Sequence, residues 1–181
     1  MVFELSRMNQ QGFNLVELLV AIAIFGIIST AVVANLRGGS SGNELNLQAD
    51  NISSLLRQAQ IQSSTGQPFN GNPPIGGYGV SLATCSTPPC SVTLFADENG
   101  NFAYDGAAEE IQVVTLGSAV TINAISEGSP FAILFKPPRP YMCFGTECSG
   151  IGEATITLGS VQSDKTLTIT ANQISGSVST S

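Results

Sequence analysis

A membrane-length apolar segment with one acid near its start is the feature that most constrains this chain. Residues 12–34 read GFNLVELLVAIAIFGIISTAVVA, and Glu17 is the one charged side chain among them. At about 1.5 Å of rise per residue, residues 13–34 give roughly 33 Å of helix, which matches a hydrocarbon core of about 30 Å. A carboxylate at the bilayer centre costs roughly 2.5 to 3.5 kcal/mol, so it normally has a partner or a function. The sequence therefore predicts a membrane helix that is more than an anchor.

Two other interpretations of this segment stay open. A secretory signal peptide has a basic start, a shorter apolar region and a small-x-small cleavage site after it. Here the small residue, Gly12, comes before the apolar run. The second alternative is a simple membrane anchor, in which Glu17 lies near the interface and extends to water without a partner.

The segment resembles the N-terminus of the type IV pilin and pseudopilin superfamily. Precursors in that superfamily carry a short polar leader, a Gly, an aromatic residue and then a pattern such as T-L-x-E-L-L-x-x-x-A-I-x-G-I. The matching positions here are Gly12, Phe13, Leu15, Glu17, Leu18, Leu19, Ile24, Gly26 and Ile27. The resemblance implies that a prepilin peptidase cleaves between Gly12 and Phe13 and methylates the new amino group of Phe13. It also implies that Glu17 is the acid of subunit assembly.

The chain departs from this pattern in its leader and at one helix position. Family leaders are rich in Lys or Arg, whereas this one has Arg7 offset by Glu4, so orientation by positive charge is weakly encoded. Met8 is an alternative start that would remove Arg7. Asn14 stands where Thr or Ser is commoner. None of these changes affects the cleavage pair or Glu17, so processing remains the prediction.

Elementary electrostatics supports the same role for Glu17. Cleavage would create an α-amine on Phe13, about one helical turn before Glu17. Burying either charge alone in lipid is expensive. We therefore expect the carboxylate of one subunit to pair with the amine of its neighbour in a filament.

The chain divides into four predicted regions. They are the leader 1–12, the transmembrane and filament-core helix 13–36, a glycine break with an amphipathic helix at 37–64, and a β-rich head at 65–181. Residues 37–42, RGGSSG, favour a flexible or melted segment, because glycine costs about 1 kcal/mol relative to alanine in a helix. Ser41 and Glu44 then have the spacing of a capping box. An apolar stripe that we expect to pack on a sheet follows at Leu45, Ala49, Ile52, Leu56 and Ala59.

The head reads as short β-strands separated by Gly, Pro, Ser and Thr. The candidate strands are 78–82, 92–96, 111–116, 120–125, 131–135, 154–158, 167–170 and 174–178, with a tight turn at 172–173 between the last two. Alternating Thr and apolar residues at 166–170 favour antiparallel sheets with one wetted face. The predicted fold is therefore α+β, and the resemblance makes it pilin-like: a long N-terminal helix packs its C-terminal half on an antiparallel sheet. The acidic turn 97–101 and the Phe-Lys-Pro element 135–137 resemble the H-type minor pseudopilins of type II secretion.

Charge and composition fit an exported domain better than a nucleic-acid-binding one. The chain has 13 acids, 6 bases and no His, for a net charge of −7. Phosphate binding depends on clustered Lys and Arg, and the bases here are scattered. The segment KPPRP at 136–140 holds two of them, and we interpret it as a solvated loop.

Four cysteines occur at local spacing. Cys85 and Cys90 form one C-x4-C pair, and Cys143 and Cys148 form the other. In an oxidising compartment this favours disulfides, although four cysteines allow three connectivities. We predict the two local pairs. A four-thiolate zinc site is the alternative.

A loose calcium site is the one cofactor candidate, and none other is predicted. The residues are Asp97, Asn99, Asn101 and Asp105. An EF-hand is excluded, because Phe102 stands where that loop needs Gly and Ala108 stands at its last ligand position. The Asn99-Gly100 dipeptide favours a hairpin turn instead.

Catalysis has little support. The chain has no His for a catalytic triad, and the adjacent Glu109 and Glu110 fit a solvated turn better than glycoside chemistry. We therefore expect a structural subunit of a pseudopilus or pilus, in the inner membrane with its head outside the cytoplasm and then in the filament. The resemblance implies other pilin subunits, a prepilin peptidase, a platform protein and an assembly ATPase as partners. The alternatives are a pilus subunit whose head binds a ligand in adhesion or DNA uptake, and an anchored exported domain that does not polymerise.

Overall fold

The computed structural model describes residues 14–139, 141–146, 148 and 152–181, and for residues 34–41 it describes the backbone alone. The contacts divide the chain into two compact units, Met1–Gly39 and Ser40–Ser181. The cleavage pair Gly12 and Phe13 lies outside the described residues.

One helix, α1, spans Leu15–Thr65. It begins after Asn14, whose carbonyl oxygen accepts the backbone N–H of Glu17 at 2.9 Å and of Leu18 at 3.2 Å. It ends in a Schellman motif at Gly66, which has a φ of 61°. There the N–H of Gly66 donates to the Ser63 carbonyl, and the N–H of Gln67 donates to the Gln62 carbonyl.

The predicted glycine break within α1 is wrong. Helical backbone continues through residues 37–42, so no helix begins at Ser41 and the predicted capping box does not form. Propagation explains the difference: starting a helix is costly, whereas extending one adds a hydrogen bond per residue. Long helical segments flank these glycines on both sides. Their low helix propensity therefore weakens the extension of an existing helix and does not have to be overcome in starting one. Glycine content alone therefore predicted the backbone of this segment incorrectly.

The apolar stripe of α1 is confirmed. Its predicted members Leu45, Ala49, Ile52, Leu56 and Ala59 are all buried. They share one core with residues of the head strands. Burial of Leu55 and Ser63 extends this face to the end of the helix.

The described part of the head contains nine strands, all paired antiparallel. They are β1 Gly77–Leu82, β2 Ser91–Asp97, β3 Glu110–Thr115, β4 Val120–Ile125, β5 Phe131–Lys136, β6 Tyr141–Phe144, β7 Glu153–Ser160, β8 Ser163–Asn172 and β9 Ser177–Thr180. A five-stranded sheet has the order β3-β2-β1-β5-β6, and a four-stranded sheet has the order β4-β7-β8-β9. Strand β6 was not predicted. The last strand was predicted to begin at residue 174, but β9 begins at Ser177, because residues 173–176 form the turn after β8.

The five-stranded sheet is covered on both faces. The face of Val80, Leu94 and Ile133 joins the core that contains α1 and the four-stranded sheet. The opposite face carries a smaller cluster of Phe95, Ala132, Leu134 and Cys143, against which Phe102, Tyr104 and Cys148 pack. The α+β class with a sheet-based head is confirmed.

Candidate functional site

The N-terminal part of α1 is an apolar rod, and its described side chains are exposed. Its segment Leu15–Val33 has 19 residues and a mean hydropathy of 2.5, and none of it is buried. By length and composition it can cross a membrane. Apolar side chains that are exposed in this way are stable when lipid or other helices surround them.

Glu17 lies in the first turn of this rod. Its backbone N–H is bonded to Asn14, so Asn14 occupies the N-cap position and Glu17 the third helical position. Negative charge in a first helical turn is stabilised by the helix dipole. Its predicted partner, the amine of Phe13 in a neighbouring subunit, lies outside the described residues, so that pairing stays a prediction.

The loop between β2 and β3, residues 98–109, is organised by two buried carboxylates. We call it the acidic loop. The Asp97 carboxylate accepts the N–H of Gly100 at 2.7 Å and of Phe102 at 2.9 Å. The Glu109 carboxylate accepts the N–H of Glu98 at 3.3 Å and of Asp105 at 3.1 Å. Each carboxylate therefore satisfies two backbone donors of a loop that regular sheet pairing leaves unbonded.

Burial raises the pKa of the Glu109 carboxyl. The two backbone N–H donors act in the opposite direction, and the negative charges of Asp97 and Asp105 add to the rise. The pKa of Tyr104 is also raised, first by burial and then by its hydrogen bond to the Glu110 carboxylate. Glu109 and Glu110 thus have different hydrogen-bond partners: the backbone N–H groups of the acidic loop donate to Glu109, and the Tyr104 hydroxyl donates to Glu110.

The calcium candidates come together, but their oxygens face hydrogen-bond donors. Asp105 accepts the side-chain amides of Asn99 at 2.6 Å and Asn101 at 2.7 Å. The amide oxygens of these two asparagines accept the N–H groups two residues further on. Among the described residues, no three His, Cys, Asp or Glu side chains are grouped to hold a metal ion. The calcium site stays a prediction. The Asn-Gly turn lies within a longer connection, since β2 ends at Asp97 and β3 begins at Glu110.

The cysteines form the two predicted local disulfides. Cys85 is bonded to Cys90 and Cys143 to Cys148, with Cα atoms 5.8 and 4.2 Å apart. The zinc alternative is contradicted, because the bonded sulfurs are not thiolates. Backbone bonds from Cys85 to Ile122 also tie the first disulfide loop to strand β4.

An open cleft of about 320 Å³ lies between the acidic loop and the second disulfide loop. We call it the aromatic cleft. Phe102, Tyr104, Phe131 and Phe144 line it, and Glu127 supplies an exposed carboxylate at its wall. The ring of Phe102 also carries the Lys136 ammonium 4.8 Å from its centroid.

A second cleft, of about 260 Å³, lies where the loop before β6 meets α1 and the turn after β8. We call it the arginine cleft. Arg139, Tyr141, Gln60 and Ile174 line it. Ile174 is 74% exposed and Tyr141 is 45% exposed. Arg139 belongs to the KPPRP segment, which the sequence analysis interpreted as a solvated loop.

Sequence reasoning found neither cleft. The lining residues come from loops and strand ends that are far apart in the chain, and the pairing of β5 with β6 brings several of them together. The one local signal was the unusual KPPRP segment.

Two comparisons with known proteins give matches. Residues 7–33 match the family model described as the prokaryotic N-terminal methylation motif. Over 57 residues the chain is 37% identical to the type II secretion system protein H of Aeromonas hydrophila. The match covers 32% of this chain and 31% of that protein, so the chain spans about a third of the length of the curated relative it matches. No solved structure is significantly similar to the chain.

Proposed function

We propose that this chain is a structural subunit of a pseudopilus or pilus. Its N-terminal methylation motif and its similarity to a type II secretion protein H support the type IV pilin and pseudopilin superfamily. The observation that carries the proposal is α1. Its first part is a fully exposed apolar rod with Glu17 in the first turn, and its last part supplies a buried face of the head. The same helix can thus enter a bundle of helices and carry its head at the bundle surface.

The proposed assembly step is a transfer of α1 from lipid to a helical bundle. Removal of the leader after Gly12 leaves an amine on Phe13, which the peptidase methylates. In lipid, Glu17 and this amine are each costly to bury, and the pairing of Glu17 with the amine of the next subunit removes both costs. Because the apolar rod is solvated equally well by lipid and by other helices, the polar pair directs the association.

The head is proposed to lie outside the cytoplasm, with α1 in the inner membrane before assembly. Both disulfides agree with an oxidising compartment. Within the superfamily, an H-type minor pseudopilin of type II secretion is the subclass we favour, supported by the relative named above. The proposed partners are other pilin or pseudopilin subunits, the prepilin peptidase, the platform protein and the assembly ATPase. The role is structural rather than catalytic.

Replacement of Glu17 tests the proposal. Glu17→Ala should leave membrane insertion intact and reduce assembly into filaments at least about tenfold, the effect of losing roughly 1.4 kcal/mol. Glu17→Asp keeps the charge and should keep part of the assembly. Thr30→Ala is the matched control, because the Thr30 hydroxyl already donates to the carbonyl of Ile27 in its own helix.

The assay measures membrane fractionation and recovery in sheared filaments side by side, with mass spectrometry of the mature N-terminus. We expect a methylated Phe13. A filament yield for Glu17→Ala equal to that of Thr30→Ala would contradict the pairing and favour a simple membrane tether. An intact Met1 or Met8 in a host with the peptidase would contradict the processing.

A further inference from the structure

We propose that Asn70 is a site of spontaneous deamidation, at which the backbone nitrogen of Gly71 attacks the side-chain amide and leaves an acidic residue at position 70. The chain contains two Asn-Gly dipeptides, Asn70-Gly71 and Asn99-Gly100. The two have the same covalent chemistry, but the fold places them in different surroundings. The site lies in the head and is independent of the proposed function.

The reaction needs water alone as a co-reactant. Hydroxide removes the proton of the Gly71 backbone nitrogen, which then bonds to Cγ of Asn70 while the bond from Cγ to the side-chain nitrogen breaks. That nitrogen takes a proton from water and leaves as ammonia, which restores the hydroxide. Water adds to either carbonyl of the resulting succinimide ring and opens it to aspartate or isoaspartate. Glycine favours the attack, because without a Cβ its backbone is free to move and open to approach.

Asn70 and Gly71 are the two central residues of an exposed tight turn. Phe69 and Asn72 close the turn with two backbone hydrogen bonds of 2.9 and 3.0 Å. Asn70 has a φ of 48° and Gly71 a φ of 92°, as in a type I′ turn. In the described part of the chain the Gly71 N–H has no hydrogen-bond partner. The attacking nitrogen is therefore not held by an acceptor.

The Asn70 side chain is held by a single contact. Its amide nitrogen donates to the Glu98 carboxylate at 3.2 Å, and both side chains are exposed. None of the described residues donates to its side-chain oxygen. Exposed side chains change rotamer rapidly, and an exposed hydrogen bond is readily exchanged for one to water. The Asn70 side chain can therefore turn toward the Gly71 nitrogen.

The Asn99-Gly100 pair is held at each of its reacting groups. The Gly100 N–H donates to the buried Asp97 carboxylate at 2.7 Å. The Asn99 amide nitrogen donates to Asp105 at 2.6 Å, and its oxygen accepts the N–H of Asn101 at 2.9 Å. Hydrogen bonds to carboxylates are stronger than those between neutral groups, and attack on Asn99 would have to break two of them. The fold should therefore protect Asn99.

Deamidation of Asn70 would change the contact between the turn and the acidic loop. The Asn70 amide donates a hydrogen bond to Glu98. An ionised carboxylate at position 70 has acceptors alone, so it would face Glu98 as a like charge. It would also add one negative charge to a chain whose net charge is already −7. We expect the turn to separate from the acidic loop after the reaction.

Peptide mass spectrometry of the incubated full-length chain tests the site. The chain is kept in detergent micelles at neutral pH, and conversion of amide to acid is followed separately at Asn70 and Asn99. In the folded chain Asn70 should convert at least about tenfold faster than Asn99, because the fold protects Asn99 alone. In urea the two rates should lie within about threefold of each other, because the contacts that distinguish them are lost.

Three results would overturn the proposal. The first is equal or faster conversion of Asn99 in the folded chain. The second is an intact Asn70 in the folded chain over a period in which the urea sample converts at both positions. The third is a rate ratio that urea leaves unchanged, since the difference would then come from the neighbouring sequence. No filament enters this assay, so its failure would leave the proposed function unaffected.

An aspartate variant tests the expected consequence. Asn70→Asp should raise amide hydrogen exchange of residues 98–102 at least about threefold, because the contact that ties the turn to this loop is lost. Asn72→Asp is the matched control. It adds the same charge to the same turn, and among the described residues the Asn72 side chain has no hydrogen-bond partner. Equal exchange in the two variants would contradict the separation of the turn from the acidic loop.

Discussion

The substitution Gly77→Ala should strongly destabilise the head, because the first residue of β1 has no room for a side chain. Gly77 has a φ of 95°. A Cβ atom added there would lie 2.1 Å from the carbonyl oxygen of Phe135 and 3.0 Å from Cδ of Pro137. The oxygen belongs to the neighbouring strand β5, so it can give way only if the β1 and β5 pairing shifts.

Two costs add up at this position. A non-glycine residue in the left-handed region loses roughly 1 to 2 kcal/mol. Forcing an atom into a packed site costs a further 1 to 3 kcal/mol or so. We therefore expect Gly77→Ala to lower the free energy of unfolding by about 2 to 5 kcal/mol, out of about 5 to 15 kcal/mol for an ordinary domain.

Gly71→Ala is the matched control for this prediction. Gly71 has a φ of 92°, yet no atom beyond its two chain neighbours lies within 4 Å of its added Cβ. In Gly71→Ala the free energy of unfolding should therefore fall by the backbone contribution alone. Urea unfolding of the full-length chain in detergent micelles, followed by near-ultraviolet circular dichroism of the tyrosines, compares the two midpoints. Equal losses in both variants would refute the steric reasoning.

Two further predictions concern α1 and the acidic loop. Gly42→Ala should raise the free energy of unfolding by up to about 1 kcal/mol, because alanine has the higher helix propensity. The nearest atom to the new Cβ is Nζ of the flexible Lys165 side chain, at 3.3 Å, which can move away. A lower urea midpoint would show that this ammonium cannot move. Because the pKa of Glu109 is raised in the folded state, its contribution to stability is full below the unfolded pKa of about 4.3 and is lost as the pH rises through the folded pKa. Glu109→Gln should flatten the fall of the urea midpoint over that window relative to Glu110→Gln, and parallel pH profiles for the two variants would contradict the assignment.

Local patterns predicted the elements whose signals are local. The apolar stripe from Leu45 to Ala59 and the cysteine pairs depend on spacing of a few residues, and both predictions are confirmed. The cleavage pair and the role of Glu17 stay predictions, since they concern a processed chain among its neighbours.

The errors arose where distant contacts or propagation decide the structure. Strand β6 is four residues long between a proline-rich segment and a disulfide loop, and its pairing with β5 is what makes it a strand. The division of the strands into two sheets likewise depends on long-range pairing. Through residues 37–42 the continuing helix prevailed over glycine propensity.

The buried face of α1 has a consequence for how the molecule can be cut. Because Leu45, Ile52 and Leu56 complete the interior beneath the strands, a shortened version that starts after Thr65 would expose the sheet surface they cover. A version that starts near Asn43 would lack the apolar rod and keep all three of these side chains. The boundary between the part of the chain that can be removed and the part that the folded head needs therefore lies within α1.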